Sequence, residues 1–350
     1  MNAKKINIVY LYAELQPYVI VVLKELIKQK AVTIHVVHWD KKKLTPYVAP
    51  PIKNIYYYGR SQFKTVGELF QMVRNIEPSV IYTSGWMDKT YMFVCRKIRK
   101  NLSIPVVAGI DSPWHGGRQW LNVIASPFLH KKNFSYLQIS GACQYEYAHR
   151  LGFCKKDILI HNCSADTELF HKIDISRKEK QYPRQILYIG RFSPEKGLKY
   201  LIDAWHHIIN KKNWSLTLIG NGPEKGELLK NEDIKILDFT NQEELMYYMQ
   251  LSGCFILPSI EEHWGVVLHE AAAGGLPILA SNICGAVPCF VINNYNGFTF
   301  TPGNSMEIQI ALEKIINSSD EQLLEMSHNS RELSKRITPK IVAKMFLSVL

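Results

Sequence analysis

The residues best suited to chemistry are two glutamates, Glu262 and Glu270, which have seven residues between them. An ionised carboxylate only accepts hydrogen bonds, and its two oxygens can bind two neighbouring hydroxyl groups at once. With Glu262 in a loop and Glu270 in the following helix, the groups would stand roughly 8–12 Å apart at a rise of about 1.5 Å per residue. This separation suits an extended ligand with many hydroxyl groups better than a metal ion or a carboxylate pair that shares a proton.

The predicted elements around these glutamates form a strand–helix–strand unit. Residues 254–258 are an apolar run that is typical of a buried parallel strand, and residues 276–281 are a second such run. Between them, Val266–Ala273 consists of good helix formers, and two glycines follow it. Glu262 would therefore lie at the carboxyl end of a strand, where open α/β sheets bind ligands. The start of the helix offers N–H groups and a positive dipole end to a phosphate.

A diol, a phosphate and a second diol together describe a sugar nucleotide. The alternative is that both glutamates are solvated acids on an amphipathic helix, which is the usual place for Glu. Glu270 stands among apolar residues, which argues against this alternative.

The letters PSIEEHWGVVLHEAAAGGLP, at residues 258–277, resemble the signature of retaining, nucleotide-sugar-dependent glycosyltransferases of family 4, which have the GT-B fold. The usual Phe of that signature is Trp264 here. The resemblance implies that Glu262 holds hydroxyls of the donor sugar and that Glu270 holds the ribose diol. It also implies that Trp264, Gly265 and Val266 belong to the donor site.

A second motif, at residues 190–197, is similar to the family pattern GR-x-x-x-x-KG and follows a predicted strand at residues 185–190. Arg191 can bind phosphate oxygens bidentately, Lys196 adds a point charge, and Gly197 lets the backbone approach closely. A further predicted strand at residues 215–221 leads into the turn that contains Gly220. In an isolated loop Arg191 and Lys196 would be solvated, but between a strand and a helix they are expected to bind phosphate.

The first half of the chain offers two further candidates, Asp111 and His115, in a loop after a predicted strand at residues 104–110. The family places a residue near the donor sugar from this loop, and its usual His position falls on Asp111. His115 is the second candidate. With Glu262, these two residues are the expected catalytic groups.

Short apolar runs alternate with helical patterns in both halves of the chain, which predicts parallel, doubly wound sheets. No G-x-G-x-x-G follows the first strand, so a dinucleotide-binding dehydrogenase is poorly supported. In the first half the predicted strands are residues 6–13, 32–39, 54–58, 79–84, 104–110, 136–140 and 158–161.

Residues 161–170 are similar to the family's linker motif NGVDTxxF. The predicted architecture is GT-B, with two doubly wound Rossmann-like domains that face each other across a cleft. An acceptor-binding domain would comprise residues 1–171 and a C-terminal crossing helix, 338–350. A nucleotide-sugar-binding domain would comprise residues 172–337. Within it, residues 296–298 resemble a late hairpin and residues 302–304 a helix N-cap.

The composition is that of a globular protein with two domains, since 47% of the 350 residues are apolar and no window of 18 apolar residues occurs. The run after Lys4-Lys5 imitates a signal peptide, but Glu14, Gln16 and Pro17 interrupt it, which favours a first strand. Seven scattered cysteines without a C-x-x-C pair indicate reduced thiols and a cytoplasmic protein.

Positive charge is concentrated in the first half. Residues 1–170 contain 23 Lys and Arg against 11 Asp and Glu, a net +12, whereas residues 171–350 contain 19 against 20, a net −1. Such asymmetry suggests an anionic partner for the first half, namely a membrane surface at the inner face, a lipid diphosphate or nucleic acid. A solvated basic face without a partner is the alternative.

The predicted function is transfer of a sugar from a nucleoside diphosphate sugar to a glycan acceptor, a lipid-linked surface polysaccharide or lipopolysaccharide intermediate. No carboxylate pair at glycosidase spacing is evident, so catalysis would rest on positioning and on electrostatic stabilisation of the departing diphosphate. The resemblance implies retention by front-face transfer. No Asp-x-Asp occurs, so neither a metal nor another cofactor is expected.

Three alternatives remain at this point. A GT-B sugar-nucleotide epimerase would use a similar donor site without an acceptor. A donor-binding protein without transferase activity is suggested by Asp111 and by Cys289, which stands where the family usually has Glu. A nucleic-acid binder would explain the basic half, but no aromatic RNA motif accompanies the basic residues.

Overall fold

The computed structural model describes residues 5–29, 31–41 and 47–350. They form two compact units, of which one contains the described residues up to Ser164 together with Pro339–Leu350, and the other contains Ala165–Thr338. Lys4, which belongs to the apparent signal peptide, lies outside the described residues, as do Lys42 and Lys43 of the basic half.

The first unit is built on a seven-stranded parallel sheet. Its order is β3-β2-β1-β4-β5-β6-β7, so the direction of strand addition reverses between β1 and β4. The strands are β1 (Ile6–Tyr12), β2 (Val32–His38), β3 (Ile55–Gly59), β4 (Val80–Thr83), β5 (Val106–Ile110), β6 (Tyr136–Ile139) and β7 (Ile158–Ile160). The helices before the linker are α1 (Pro17–Ile27), α2 (Val66–Asn75), α3 (Lys89–Leu102), α4 (Gln119–Ala125), α5 (His130–Asn133) and α6 (Ala142–Arg150).

Helix α3 illustrates why these segments fold as they do. It begins at Asp88, whose side chain accepts hydrogen bonds from the N–H groups of Thr90 and Tyr91. The buried positions Tyr91, Val94, Cys95 and Ile98 follow the i, i+3, i+4, i+7 spacing of one helix face. Each of these side chains contributes about 1.5–3 kcal/mol by leaving water, which fixes the helix against the sheet.

The second unit repeats the architecture with six parallel strands. Its order is β10-β9-β8-β11-β12-β13, and the reversal falls between β8 and β11. The strands are β8 (Gln185–Ile189), β9 (Ser215–Ile219), β10 (Ile234–Leu237), β11 (Cys254–Leu257), β12 (Ile278–Ser281) and β13 (Gly297–Phe300). The helices are α7 (Thr167–Phe170), α8 (Arg177–Lys180), α9 (Leu198–His207), α10 (Lys225–Leu228), α11 (Gln242–Gln250), α12 (Val266–Ala273), α13 (Val287–Phe290), α14 (Ser305–Asn317) and α15 (Asp320–Ser334). The predicted parallel, doubly wound sheets are confirmed in both units.

The last helix, α16 (Pro339–Leu347), belongs to the first unit. It packs against α1, and the ring of Phe346 contacts the rings of Tyr10 and Tyr82 at 5.8 and 5.7 Å. The chain therefore completes its first unit with its last residues.

The structure places the division between the units before the linker motif ends. The sequence analysis assigned residues up to 171 to the first domain, whereas residues 165–171 pack with the second unit. The N–H of Ala165 donates to Nδ1 of His269 at 3.1 Å, and α7 packs against α12. These tertiary contacts place residues 165–171 of the linker motif in the second unit.

The predicted late hairpin at residues 296–298 is wrong. Strand β13 pairs in parallel with β12, and the buried side chain of Asn296 stabilises the turn that precedes β13. Its Oδ1 accepts from the N–H of Ile292 at 2.8 Å, and its Nδ2 donates to the carbonyl of Phe290 at 2.8 Å. The predicted N-cap is confirmed, since Asn304 accepts from the N–H of Glu307 at 3.2 Å.

Replacement of Gly197 by alanine tests the packing of the β8 loop. Gly197 has φ +67°, and a Cβ there would overlap the carbonyl oxygen of Pro258. We expect Gly197→Ala to lower the free energy of unfolding by about 1–3 kcal/mol for the backbone conformation, with the overlap adding to this loss. Urea denaturation measures the change.

Gly226→Ala is the matched control, because a Cβ at Gly226 meets no atom within 4 Å. It should leave stability unchanged or raise it slightly, since it reduces the entropy of the unfolded chain. Equal losses in the two variants would contradict the proposed role of Gly197.

Candidate functional site

The candidate site lies where the strand order of the second unit reverses. β8 and β11 are neighbours there, and ligands of open α/β sheets bind outside the carboxyl ends of such strands. The loop after β8 contains residues 190–197, and the loop after β11 contains residues 258–265. The motif at residues 190–197 lies in the first of these loops, and the motif at residues 258–277 begins in the second.

An ion pair joins the two loops. Nζ of Lys196 lies 2.5 Å from Oε2 of Glu262, and the side chains are 18% and 14% exposed. The hydroxyl of Ser259 donates to the same carboxylate oxygen at 3.4 Å. The structure therefore brings a predicted phosphate ligand and a predicted sugar ligand into direct contact, and each compensates the charge of the other.

Glu195 ties the loops together by its backbone. Its carbonyl accepts from the N–H groups of Ile260 and Glu261 at 2.9 and 3.2 Å. Its side chain accepts from the Ser193 hydroxyl at 2.6 Å, and Arg191 Nη1 stands 3.7 Å from the same oxygen. The hydrogen bond from Ser193 is the main cause that lowers the pKa of Glu195, and the guanidinium of Arg191 adds to it. The side chain of Arg191 is 52% exposed, so it can reach a ligand.

The segment after β12 also fixes the loop that follows β11. The N–H of Gly285 donates to the carbonyl of Glu262 at 3.3 Å, and the N–H of Ala286 donates to the carbonyl of Trp264 at 2.9 Å. The Trp264 ring is only 4% exposed and meets Phe290 edge to face at 6.4 Å. Trp264 therefore supports the loop from within the fold.

The remaining predicted residues of this region shape the backbone. Gly265 has φ +87°, and a Cβ there would approach Cγ of Glu262 to 3.2 Å. A Cβ at Gly220 would overlap the carbonyl oxygen of Gly190, so the loops after β8 and β9 can pack closely only because residue 220 is a glycine. Val266 is the first residue of α12, and no side chain caps this helix start. The first N–H groups of an α-helix without a side-chain cap can bind an anion.

Glu270 lies in α12 and has an unusual electrostatic environment. Desolvation, together with the nearby carboxylate of Asp166, raises the pKa of Glu270 to about 7. Asp166 caps α7, because its Oδ1 accepts from the N–H of Leu169 at 3.0 Å. A raised pKa in a carboxylate beside a second carboxylate is typical of functional sites.

His269, next to Glu270, anchors α12 in the unit. It is fully buried and accepts from Ala165 through Nδ1, while Nε2 lies 3.0 Å from the carbonyl of Ser334. Its ring stacks on Phe290 with the centroids 4.1 Å apart. These contacts fix the helix that carries Glu270.

Asp111 and His115 lie in the first unit, in the loop after β5, and both are exposed. The carbonyl of Asp111 accepts from Gln144 Nε2 at 2.9 Å, and the N–H of His115 donates to Gln119 Oε1 at 2.6 Å. A role of either residue at the donor sugar stays a prediction.

The sequence analysis missed three residues of the site, namely Glu195, Ser259 and Asp166. A signal existed for Asp166, because it stands in the linker motif. Glu195 and Ser259 stand within or beside the recognised motifs, but their contacts join residues from different loops. Within the described residues, no group of three or more His, Cys, Asp or Glu side chains is placed to hold a metal ion.

Part of the chain is similar in sequence to known glycosyltransferases. Residues 171–333 match the family model of glycosyl transferases group 1. An uncharacterized glycosyltransferase of Haemophilus influenzae is 33% identical over 161 residues, which are 43% of this chain and 44% of that protein. The capsular polysaccharide biosynthesis glycosyltransferase CapM of Staphylococcus aureus is 28% identical over 190 residues, 50% of this chain and 48% of that protein. The matched part thus spans less than half of either relative.

A solved structure resembles the chain over its whole length. The crystal structure of Anabaena Alr3699/HepE in complex with UDP has a TM-score of 0.75 and 19% identity, and the alignment covers 99% of this chain and 100% of that one. Two parallel α/β units and this likeness define a protein of the GT-B class, as predicted. Within that fold, residues 171–333, slightly less than half of the chain, match the group 1 glycosyltransferases, which confirms the resemblance carried by the motifs. Assignment to family 4 stays a prediction.

A double-mutant cycle tests the ion pair in this site. Lys196→Met, Glu262→Gln and the double variant should give a coupling free energy of about 1–3 kcal/mol in unfolding experiments, because both side chains are largely shielded from water.

The pair Lys230–Glu227 provides the control, since it has the same 2.5 Å separation but side chains that are 70% and 75% exposed. Its coupling should be at most about 0.5 kcal/mol. Similar coupling energies in the two cycles would show that shielding does not strengthen the Lys196–Glu262 pair.

The pH dependence of stability tests the environment of Glu270. A carboxyl whose pKa is raised by folding stabilises the native state at low pH and loses this contribution as pH rises through the folded pKa. Relative to Glu270→Gln, the wild type should therefore lose about 1–3 kcal/mol of unfolding free energy between about pH 4.5 and 7. Urea denaturation across this range measures the difference.

Asp166→Asn is the companion variant, because asparagine can still cap α7 while it removes the neighbouring charge. The loss of stability should then occur at lower pH. Parallel pH profiles for the wild type and Glu270→Gln would contradict a raised pKa.

Proposed function

We propose that the protein transfers a sugar from a nucleoside diphosphate sugar to a hydroxyl group of a glycan acceptor, with retention of the anomeric configuration. The observation that carries this proposal is the Lys196–Glu262 pair at the reversal point of the second sheet. It places a cation suited to phosphate beside a carboxylate suited to sugar hydroxyls. The group 1 family match supports transferase chemistry.

The donor would take over contacts that the residues now make with each other. Lys196 would exchange the carboxylate of Glu262 for a phosphate oxygen, and the exposed Arg191 would bind the same diphosphate. Glu262 would then accept hydrogen bonds from the sugar hydroxyls. Glu270 would accept from the ribose diol in its ionised form. The Anabaena protein of the same fold was solved with UDP, which supports a nucleotide as a ligand of this chain.

Catalysis would follow from charge stabilisation. As the bond between the anomeric carbon and the phosphate oxygen breaks, negative charge grows on the departing diphosphate, where Lys196, Arg191 and the uncapped start of α12 stabilise it. The acceptor oxygen bonds to the same carbon on the same face, and its proton passes to the departing phosphate oxygen. The protein then supplies positioning and preorganised charge, without a metal or another cofactor.

The acceptor would be a lipid-linked intermediate of a surface polysaccharide or lipopolysaccharide. The similarity to CapM, named for capsular polysaccharide biosynthesis, and the net charge of +12 in residues 1–170 support this proposal. The described part of the chain has no helix long and apolar enough to cross a membrane. The proposed contact with the lipid at the inner membrane face is peripheral.

Calorimetry with UDP, GDP, ADP and TDP is the experiment that tests the donor site. We expect a clear preference for one nucleotide and at least tenfold weaker binding by Lys196→Ala and Glu270→Ala, because each removes a direct contact. Lys230→Ala, an exposed lysine of the same unit, is the control and should bind like the wild type. No binding of any nucleotide by the wild type would overturn the proposal.

A product assay with the preferred donor then separates transfer from its rivals. Transfer requires an added acceptor and releases the nucleoside diphosphate together with a glycosylated product. An epimerase would convert the donor without an acceptor, and an inactive donor-binding protein would bind nucleotide without any turnover.

A further inference from the structure

An exposed apolar surface stands on the first unit, directly after the β5 loop. We call it the apolar patch and define it by side chains that are between 45% and 70% exposed, namely Trp120, Leu121, Ile124, Phe128 and Leu129. Five large apolar side chains are thus exposed within ten residues of the chain. Such a cluster is a candidate interaction site, whereas single exposed apolar residues are ordinary.

The apolar patch faces outward because the opposite face of α4 packs against the first unit. At 100° per residue, Trp120, Leu121 and Ile124 span about 100° of the helix surface. On the inward side, Asn122 donates to the Tyr147 hydroxyl at 2.9 Å, and Val123 packs against the core of the unit. No residue of α4 is fully buried. The polar asparagine thus faces the protein and the large apolar side chains face outward, the reverse of the usual order.

The patch is held firmly in place. The rings of Trp114 and Trp120 meet edge to face at 5.2 Å, and the guanidinium of Arg150 lies 4.7 and 5.5 Å from their centroids. After α4, the buried hydroxyl of Ser126 donates to the carbonyl of Leu151 at 2.6 Å. These contacts argue that the exposure is a stable feature of the folded unit.

Basic residues border the patch, and acidic residues are absent from its segment. The sequence has no Asp or Glu between Asp111 and Glu146. Lys132 Nζ lies 5.6 Å from the Phe128 ring, and Arg118 is the N-cap residue of α4. Nζ of Lys131, in α5, lies 4.0 Å from the carboxylate of Asp157. Asp157 ends a turn that contains two further lysines, Lys155 and Lys156, so this turn lies next to α5.

We propose that the apolar patch docks on the anionic surface of a lipid bilayer. Trp120, Leu121, Ile124 and Phe128 would enter the headgroup and outer acyl region, while Arg118 and Lys132 would pair with anionic headgroups. Tryptophan is enriched at this depth, and apolar side chains bordered by Lys and Arg are typical of interfacial segments.

Charge complementarity favours a bilayer over a second copy of the chain. A two-fold symmetric dimer through this face would bring the basic borders of two copies together, which is repulsive. An anionic bilayer instead complements both the apolar centre and the basic border. The inference deepens the proposed function on which it rests, because docking by α4 would hold the loop of Asp111 and His115 near a bilayer that carries the acceptor.

Vesicle flotation with the full chain tests the proposal and requires neither donor nor acceptor. We expect the wild type to float with vesicles that contain about one third phosphatidylglycerol in phosphatidylcholine, and to bind pure phosphatidylcholine at least tenfold more weakly. Leu121→Ser/Ile124→Ser/Phe128→Ser should reduce binding at least tenfold. Arg118→Gln/Lys132→Gln should weaken it and reduce its dependence on salt.

Met306→Ser/Ile310→Ser is the matched control, since both residues are exposed apolar side chains on α14 in the second unit. It should float like the wild type, and thermal unfolding should confirm that all variants fold. The nucleotide affinity of the patch variants should be unchanged, so loss of docking and loss of the donor site are distinguishable.

Three results would overturn the proposal. The first is a wild type that does not float with anionic vesicles, and the second is a triple serine variant that floats as well as the wild type. The third is a wild-type dimer in light scattering that the triple variant abolishes, without vesicle binding, because the patch would then be a protein interface.

Discussion

The ion pair between Lys196 and Glu262 is the interaction on which the candidate site depends. It forms because β8 and β11 are neighbours, so that their loops meet at the carboxyl edge of the sheet. The close approach requires a glycine at position 197 and is held by the Glu195 carbonyl, which accepts two N–H groups of the other loop. A charged pair with little exposure can persist only where such contacts fix its geometry.

The carboxylates of Glu262 and Glu270 are in opposite electrostatic environments. Glu262 has a cation beside it, whereas Glu270 is desolvated and has the carboxylate of Asp166 nearby, which raises its pKa to about 7. A site with this arrangement limits its negative charge while it is empty. When Glu270 ionises, its carboxylate can accept hydrogen bonds from a ribose diol. Binding of the proposed ligand is therefore linked to the protonation state of Glu270.

The two units share an architecture but differ in surface chemistry. Both are parallel sheets with one reversal of strand order, and their cores follow the same rules of burial. The second unit has its candidate site at the reversal point between β8 and β11. The first unit instead exposes an apolar patch within a segment free of acidic residues. In the proposed docking, the basic residues of this segment, which contribute to the net positive charge of the first half, would bind anionic headgroups.

The secondary-structure elements and the motifs could be predicted from local patterns of residues, because periodicity and turn residues are local. It predicted Val266–Ala273 as a helix with the observed bounds, and the strands of the first unit within two residues. The structure alone decided which residues meet, since strand order brings together Lys196 and Glu262, 66 positions apart, and Asp166 and Glu270. It also decided that β13 runs parallel and that α4 turns its apolar side outward. Both outcomes depend on packing partners that are distant in sequence, so no local pattern could specify them.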